Sequence, residues 1–151
     1  MKLLSTSASN TKIAKTQKKE QIQTRVASLS LYPDHIICAG SKAAKCMEAC
    51  LKSAGMGVFS NVKAGRKAKT DWFHADQDAF LAQLCKELYN FDKLCKRSGS
   101  IGQVRLNTIS DIAWEKLGVP QLFPDLNFYD YSKRVHRIGN TPTNYKLMFS
   151  Y

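Results

Sequence analysis

The 151-residue chain has no apolar run of about 18 residues, so a membrane-spanning helix is not expected. Its start, Met-Lys-Leu-Leu-Ser-Thr-Ser-Ala-Ser, lacks the sustained apolar core and cleavage site of a secretory leader, and a cytoplasmic protein is the expectation. No internal repeat with a period of about 20 to 50 residues is present, which excludes solenoids and propellers. Gly55, Gly57 and Gly65 fit neither a Walker loop nor a dinucleotide fingerprint, so nucleotide hydrolysis has no support. His35, His74 and His136 are dispersed and no Ser-His-Asp order exists, which removes the usual grounds for hydrolytic catalysis. Acids are scarce in the first half: residues 1 to 70 hold 13 Lys and Arg against 3 Asp and Glu, whereas residues 71 to 151 hold 10 against 9. The net charge of +11 therefore sits almost wholly N-terminal, a pattern compatible with a nucleic acid or another polyanion as partner.

What is present is a cluster of thiols. Five cysteines make a poor disulfide framework, and clustered thiols in a reducing compartment more often serve metals or catalysis. Three of them, Cys38, Cys46 and Cys50, fall within thirteen residues. Ser41, Ala43, Ala44, Ala49 and Gly55 predict a helix over residues 41 to 54, which would place Cys46 and Cys50 on one face, with Cys38 approaching from the preceding loop. Three thiolates leave one coordination position open. His35 would close it around a structural zinc; an iron–sulfur cluster would instead keep one iron free for a small molecule. Against ligation stand plain core packing beside Met47 and Leu51, and disulfide or redox chemistry. Cys85 and Cys95 are expected in the core.

The rest of the chain reads as alternating strands and helices. Residues 1 to 22 are polar and basic and are expected to form a flexible arm, with residues 23 to 151 as one domain. Strands are predicted over 25–31, 101–107, 127–131 and 145–151, and helices over about 60–72 and 76–96. The second long helix carries Phe80, Leu81, Leu84, Leu88, Phe91 and Leu94 as one apolar stripe. The first exposes Lys63, Arg66, Lys67 and Lys69, a candidate nucleic-acid surface. Such an order argues for parallel βαβ units, in which functional groups gather at the carboxyl ends of strands.

Those ends are polar. Arg105, Asn107, Ser110 and Asp111 follow one strand, Asp130, Ser132 and Lys133 the next, and Ser150 the last. In a parallel sheet they would line one mouth with the cysteines. Asp111 and Asp130 are then candidates to orient groups or exchange protons, and Arg105, Asn107, Ser110 and Lys133 to bind a cofactor or an anion. Each has a plainer alternative: Ser110 and Asp111 as a helix cap, Asp130 as an inward carboxylate paired with Arg105, Lys133 as a solvated cation.

Taken in order, Arg25-Val-Ala-Ser-Leu-Ser-Leu31, Cys38-Ala-Gly-Ser41, Cys46-Met-Glu-Ala-Cys50, Val104-Arg-Leu-Asn107, Ser110-Asp-Ile112, Phe128-Tyr-Asp-Tyr-Ser-Lys133 and Asn144-Tyr-Lys-Leu-Met-Phe-Ser150 resemble the gene product 88 family of bacteriophages. That family is similar in layout to radical S-adenosylmethionine barrels, where three cysteines after the first strand hold a four-iron cluster. The resemblance implies a partial, half-built TIM-type barrel of about four strands, an iron–sulfur cluster or zinc, and S-adenosylmethionine as a cofactor. The spacing of the three cysteines departs from the compact spacing of established radical enzymes. Relatives continue past the Phe-Ser motif, so the chain is expected to be a shortened form, with a second copy or another chain covering its last strand. Two functions follow as expectations: a radical-type enzyme acting on a nucleic acid or nucleotide, or a zinc-stabilised protein that binds nucleic acid or a host protein.

Overall fold

The structure, a computed structural model, describes residues 1–6, 23–47, 50 and 55–150. Five strands, β1 (Leu4–Thr6), β2 (Thr24–Leu29), β3 (Ile101–Arg105), β4 (Asn127–Ser132) and β5 (Tyr145–Phe149), form one sheet in chain order. β1 runs antiparallel to β2 with Leu4 opposite Leu29, and every later neighbour is parallel, with Ser28 beside Arg105, Val104 beside Phe128 and Tyr129 beside Lys146. The helices are α1 (Ser41–Ala44), α2 (Ser60–Ala75) and α3 (Gln77–Arg97), supplemented by 3₁₀ turns at Gly55–Val58, Pro120–Leu122 and Val135–Arg137.

The α/β expectation holds, with five mostly parallel strands where about four were expected, but the strand–helix alternation of a half-built TIM-type barrel is not formed beyond the β2–β3 crossover. The crossover from β2 to β3 carries all three α-helices, whereas those from β3 to β4 and from β4 to β5 carry only a single 3₁₀ turn each. Pro120 and Pro124 with Gly118 explain the first of these short returns, because proline cannot supply the amide a longer helix needs.

α3 anchors the sheet. Asp76 caps it, its Oδ1 accepting from the Ala79 amide at 3.0 Å, and Lys96 and Arg97 complement its C-terminal dipole before Ser98 ends it. Its buried face is Phe80, Leu84, Leu88, Phe91 and Cys95. The expected stripe is therefore corrected at its end: Leu94 is 42% exposed and Cys95 takes the inward position, as the advance of 100° per residue from Phe91 requires. Cys95 is buried as expected, whereas Cys85 is only half-buried. Phe73 from α2 packs edge-on against Phe80 and against Trp114, joining both helices to the loop after β3.

Parity along the strands divides the sheet into two unlike faces. Gly102, Val104, Phe128, Asp130, Tyr145 and Leu147 turn towards the helical side and are buried; Gln103, Arg105, Tyr129, Tyr131, Lys146 and Met148 turn the other way and are at least partly exposed. At Gly102 a Cβ would stand 2.5 Å from Leu126 Cδ2 and 3.1 Å from Cys95 Sγ, so Leu126 and α3 together leave no room for a side chain there.

The flexible-arm expectation needs correction at its start. Leu3 and Leu4 are buried, and the Glu87 carboxylate of α3 accepts from their amides at 2.8 and 2.7 Å. Lys69 donates from Nζ to the Leu3 carbonyl at 2.8 Å. The remainder of that segment, residues 7 to 22, lies outside the described residues.

Gly102→Ala is expected to destabilise the chain by about 1–3 kcal/mol through overpacking between β3 and α3, measured as a lower urea midpoint at unchanged slope.

Candidate functional site

Each parallel strand delivers a loop to the same end of the sheet, and there the loops enclose a cavity of about 440 Å³. Its walls include Cys38 after β2, Arg105, Asn107, Ser110 and Asp111 around the end of β3, Tyr131 and Lys133 at the end of β4, and Ser150 after β5. Cys46, Met47 and Cys50 complete it. The mouth inferred from strand ends is thus assembled from the residues named for it, with two exceptions: Asp130 and Ser132 are buried and are not among the lining residues.

The three thiols reach the cavity by a different route from the one expected. α1 is a single turn whose N-cap position is Gly40, and Lys45 in the left-handed conformation, φ 49°, ends it before Cys46. The predicted helix to residue 54 is therefore not formed across Cys46; residues 48, 49 and 51 to 54 lie outside the described residues. A chain reversal, rather than a shared helical face, brings Cys46 to the cavity. All three cysteines are half-buried. Cys38 Sγ lies 3.7 Å from the Ile109 carbonyl. Burial, the neighbouring Cys50 thiol and the Asp111 carboxylate push the Cys38 thiol up to about 12. An unassisted Cys38 thiolate is thus strongly disfavoured, and a bound cation would reverse that balance. Among the described residues, no three His, Cys, Asp or Glu side chains are arranged closely enough to hold a metal ion. His35, the expected fourth ligand, sits instead against Ser41, with Nδ1 3.2 Å from its hydroxyl.

The polar residues of the β3 loop are bound to one another. Asn107 Oδ1 accepts from Ser110 Oγ, the Ile112 amide and Trp114 Nε1 at 2.9, 3.0 and 3.1 Å, while its Nδ2 donates to the Ile112 carbonyl at 2.9 Å. One amide side chain therefore folds the whole turn, and both Asn107 and Ser110 are spoken for. The Asp111 carboxylate accepts from the Arg137 guanidinium, from Ser132 Oγ at 3.0 Å and from the Lys133 amide at 3.3 Å. Its own amide donates to the Ile37 carbonyl at 2.9 Å. Asp111 thereby joins the loops after β2, β3 and β4. It lines the cavity as a saturated carboxylate and not as a free acid or base, because nearly every lone pair has a donor. Gly40 permits this junction: a Cβ there would meet Arg134 Cγ at 3.3 Å, Lys133 Cβ at 3.4 Å and Asp111 Oδ2 at 3.7 Å.

Arg137 was not singled out in the sequence. It is 2% exposed, gives Nε and Nη2 to Glu115 at 2.8 Å each, and a third donor to Asp111. A buried arginine carries no periodic signature, and its position in a presumed connection concealed it.

Asp130, expected at the mouth, lies within the sheet layer at 1% exposure. It accepts from the Asn107 amide at 2.8 Å and the Tyr145 hydroxyl at 3.0 Å, and Arg105 Nε stands 4.0 Å away. Burial, outweighing these donors, raises its carboxyl to about 7. Arg105 itself lies over the Tyr131 ring, 5.1 Å from its centroid. Its Nε has no hydrogen-bond partner among the described residues.

The basic residues of α2 do not line this cavity. Lys67 pairs with Asp71 at 2.8 Å on the surface, Lys69 is tied to Leu3 as above, Arg66 is half-buried and Lys63 is exposed. Burial lowers the Lys69 ammonium below its ordinary value, which further separates it from an open anion-binding role.

A model of the gene product 88 family matches residues 2–151. The chain belongs to the gene product 88 family. The match takes in the N-terminal segment as well as the region from Arg25 to Ser150 that carries the sequence resemblance. No curated protein and no solved structure matches. No helix among the described residues is long and apolar enough to cross a membrane.

Two outcomes follow from the buried charges. Arg137→Met leaves Asp111 and Glu115 without their cation and is expected to cost about 3–5 kcal/mol in equilibrium unfolding. For Asp130, both states are protonated below about pH 4; between there and pH 7 the unfolded chain ionises first, so folding stability falls as pH rises and then levels off above pH 7. Asp130→Asn should remove that decline, seen as a wild-type-minus-variant stability difference that decreases from pH 4 to 7.

Proposed function

We propose that this protein binds a metal centre through Cys38, Cys46 and Cys50 at the carboxyl end of its parallel sheet, and that the centre serves a radical-type reaction on an anionic substrate such as a nucleotide. The observation that carries this reading is the gathering of three cysteines, separated by as many as twelve positions, on one cavity wall. The chemistry of the donors suits the group, although the sulfurs would have to draw closer on binding to share an ion: soft thiolates favour zinc and iron–sulfur clusters, and deprotonation on binding supplies the charge that the buried Cys38 lacks. An iron–sulfur cluster, when bound, would supply a one-electron donor and an open iron position for S-adenosylmethionine.

The chain's own residues have separate tasks in this scheme. Arg105, stacked on Tyr131 and partly exposed at the cavity's edge, holds an anion there with the accessible end of its guanidinium, while its buried Nε faces Asp130. Lys133 adds a second cation on the same wall. Asp111 keeps the three loops in register, so its part is positioning. Asn107 and Ser110 likewise shape the wall. Asp130 supports the Asn107 turn from beneath.

One observation favours a second reading, in which zinc has a purely structural role. The acids and amides closest to the thiols are already hydrogen-bonded within the protein, so the wall offers few groups for proton transfer. A zinc ion would then replace a helix as the device that holds the segment around Cys46 and Cys50.

Anaerobic purification followed by metal and sulfide analysis separates these readings. A brown protein with several irons and sulfides per chain, whose reduced spectrum changes on adding S-adenosylmethionine, is expected for the first; a colourless protein with one zinc would replace it by the second. Cys38→Ala, Cys46→Ala and Cys50→Ala should each abolish binding, and Cys85→Ala should leave it intact. Full metal content in Cys46→Ala, or none in the native chain, would refute both.

A further inference from the structure

The sheet face turned away from the helices has a chemistry of its own. Tyr129 and Tyr131 project from it two residues apart on β4, so their rings are separated by roughly 6–7 Å along the strand. Tyr131 is 43% exposed and lies beneath the Arg105 guanidinium. Lys146 stands beside Tyr129 in register on β5 and is exposed, and Met148, beside Tyr131, is 42% exposed. Gln103 adds an amide on β3. Across β3, β4 and β5 this face holds two cations and no acid; Asp130, the one carboxylate of these strands, points to the other side. A face of bare aromatic rings would fit many partners. Rings flanked by cations with no acid on the same face fit a polyanion whose monomers carry flat, stackable groups.

We propose that this face binds single-stranded nucleic acid, with Tyr129 and Tyr131 each stacking on a base and with Arg105 and Lys146 meeting the phosphates. Open sheets with aromatic residues on neighbouring exposed positions take single strands in this way because the bases must be unstacked from a duplex to reach the rings. A duplex presents its phosphates and the edges of its bases but not their faces, so its bases cannot lie flat on a sheet. Because Arg105, Tyr131 and Lys133 also line the cavity, a strand crossing the face arrives at the cavity's rim. The inference goes beyond the metal-centre reading and does not require it: no cysteine contributes to this face, so loss of the metal and loss of strand binding are separable.

The test is fluorescence anisotropy of the full chain with a labelled oligothymidylate of about 12 nucleotides, a length within the usual range for such surfaces, and with the same strand annealed to its complement. The single strand is expected to bind more tightly than the duplex, with an affinity that falls as salt rises. Tyr129→Ala and Tyr131→Ala should each weaken it by about 5- to 100-fold, the range for loss of one base–aromatic stack. Lys146→Glu, at an exposed position where the fold is insensitive, should weaken binding and reduce its salt dependence. Lys63→Ala with Lys67→Ala on α2 should leave it unchanged, and so should Cys46→Ala. Equal affinity for duplex and single strand, native affinity in the tyrosine variants, or loss confined to the α2 variant would overturn the proposal. So would a chain that binds no oligonucleotide and sediments as a dimer dissolved by Met148→Lys, which would make a second copy the occupant of the face.

Discussion

A single buried guanidinium governs the arrangement of the cavity wall. Arg137 lies between Asp111 and Glu115, and Asp111 in turn receives Ser132 Oγ and the Lys133 amide while its own amide reaches the loop after β2. Three loops that leave three different strands are thereby held at one point. Buried ion pairs of this kind contribute little net stability relative to apolar replacements of the same volume, because desolvation offsets most of the attraction. What they supply is choice of partner: an unmatched charge in that place is so costly that only one docking of the loops satisfies it. The cavity exists because that docking is fixed before any ligand arrives.

Strand parity distributes the remaining work. On β4, Phe128, Asp130 and Ser132 enter the layer that packs under the loops and helices, and Tyr129 and Tyr131 emerge on the opposite side. Adjacent residues therefore belong to unrelated environments. Asp130 has its charge suppressed by burial, while the neighbouring tyrosine is half-open to solvent and stacked with an arginine. A segment that reads as one polar motif, Tyr-Asp-Tyr-Ser-Lys, is in fact split between two surfaces and a loop.

Much of the fold was readable because its signals are periodic. The alternation in residues 101–105 and 145–149 and the apolar stripe of α3 dictate their own structure, and the carboxyl-end rule then brought the cysteines, Arg105, Asn107, Ser110, Asp111 and Lys133 to one mouth. The misreadings have physical causes. The run from Ser41 to Ala54 is rich in helix formers, yet helix propensity is a weak prior and the chain turns at Lys45 once a single turn is complete. Asn107 and Asp111 looked like free functional groups because sequence shows that a residue is polar and not whether its hydrogen bonds are already filled. Leu3 and Leu4 looked like part of a solvated arm because the carboxylate that captures their amides, Glu87, lies more than eighty residues away. Arg137 was invisible for a related reason, since burial of a cation depends on partners brought by the tertiary fold.

Among the described residues, β5 is hydrogen-bonded only to β4, which leaves it at the rim of the described sheet. Strands in that situation invite copies of themselves to add on, and long apolar ones seed fibres. Here the middle of the strand alternates Tyr145 and Leu147, both turned inward, with Lys146 turned out. Two molecules pairing rim to rim with Lys146 opposite Lys146 would bring like charges together. A lysine at that rim thus disfavours strand addition in this one register.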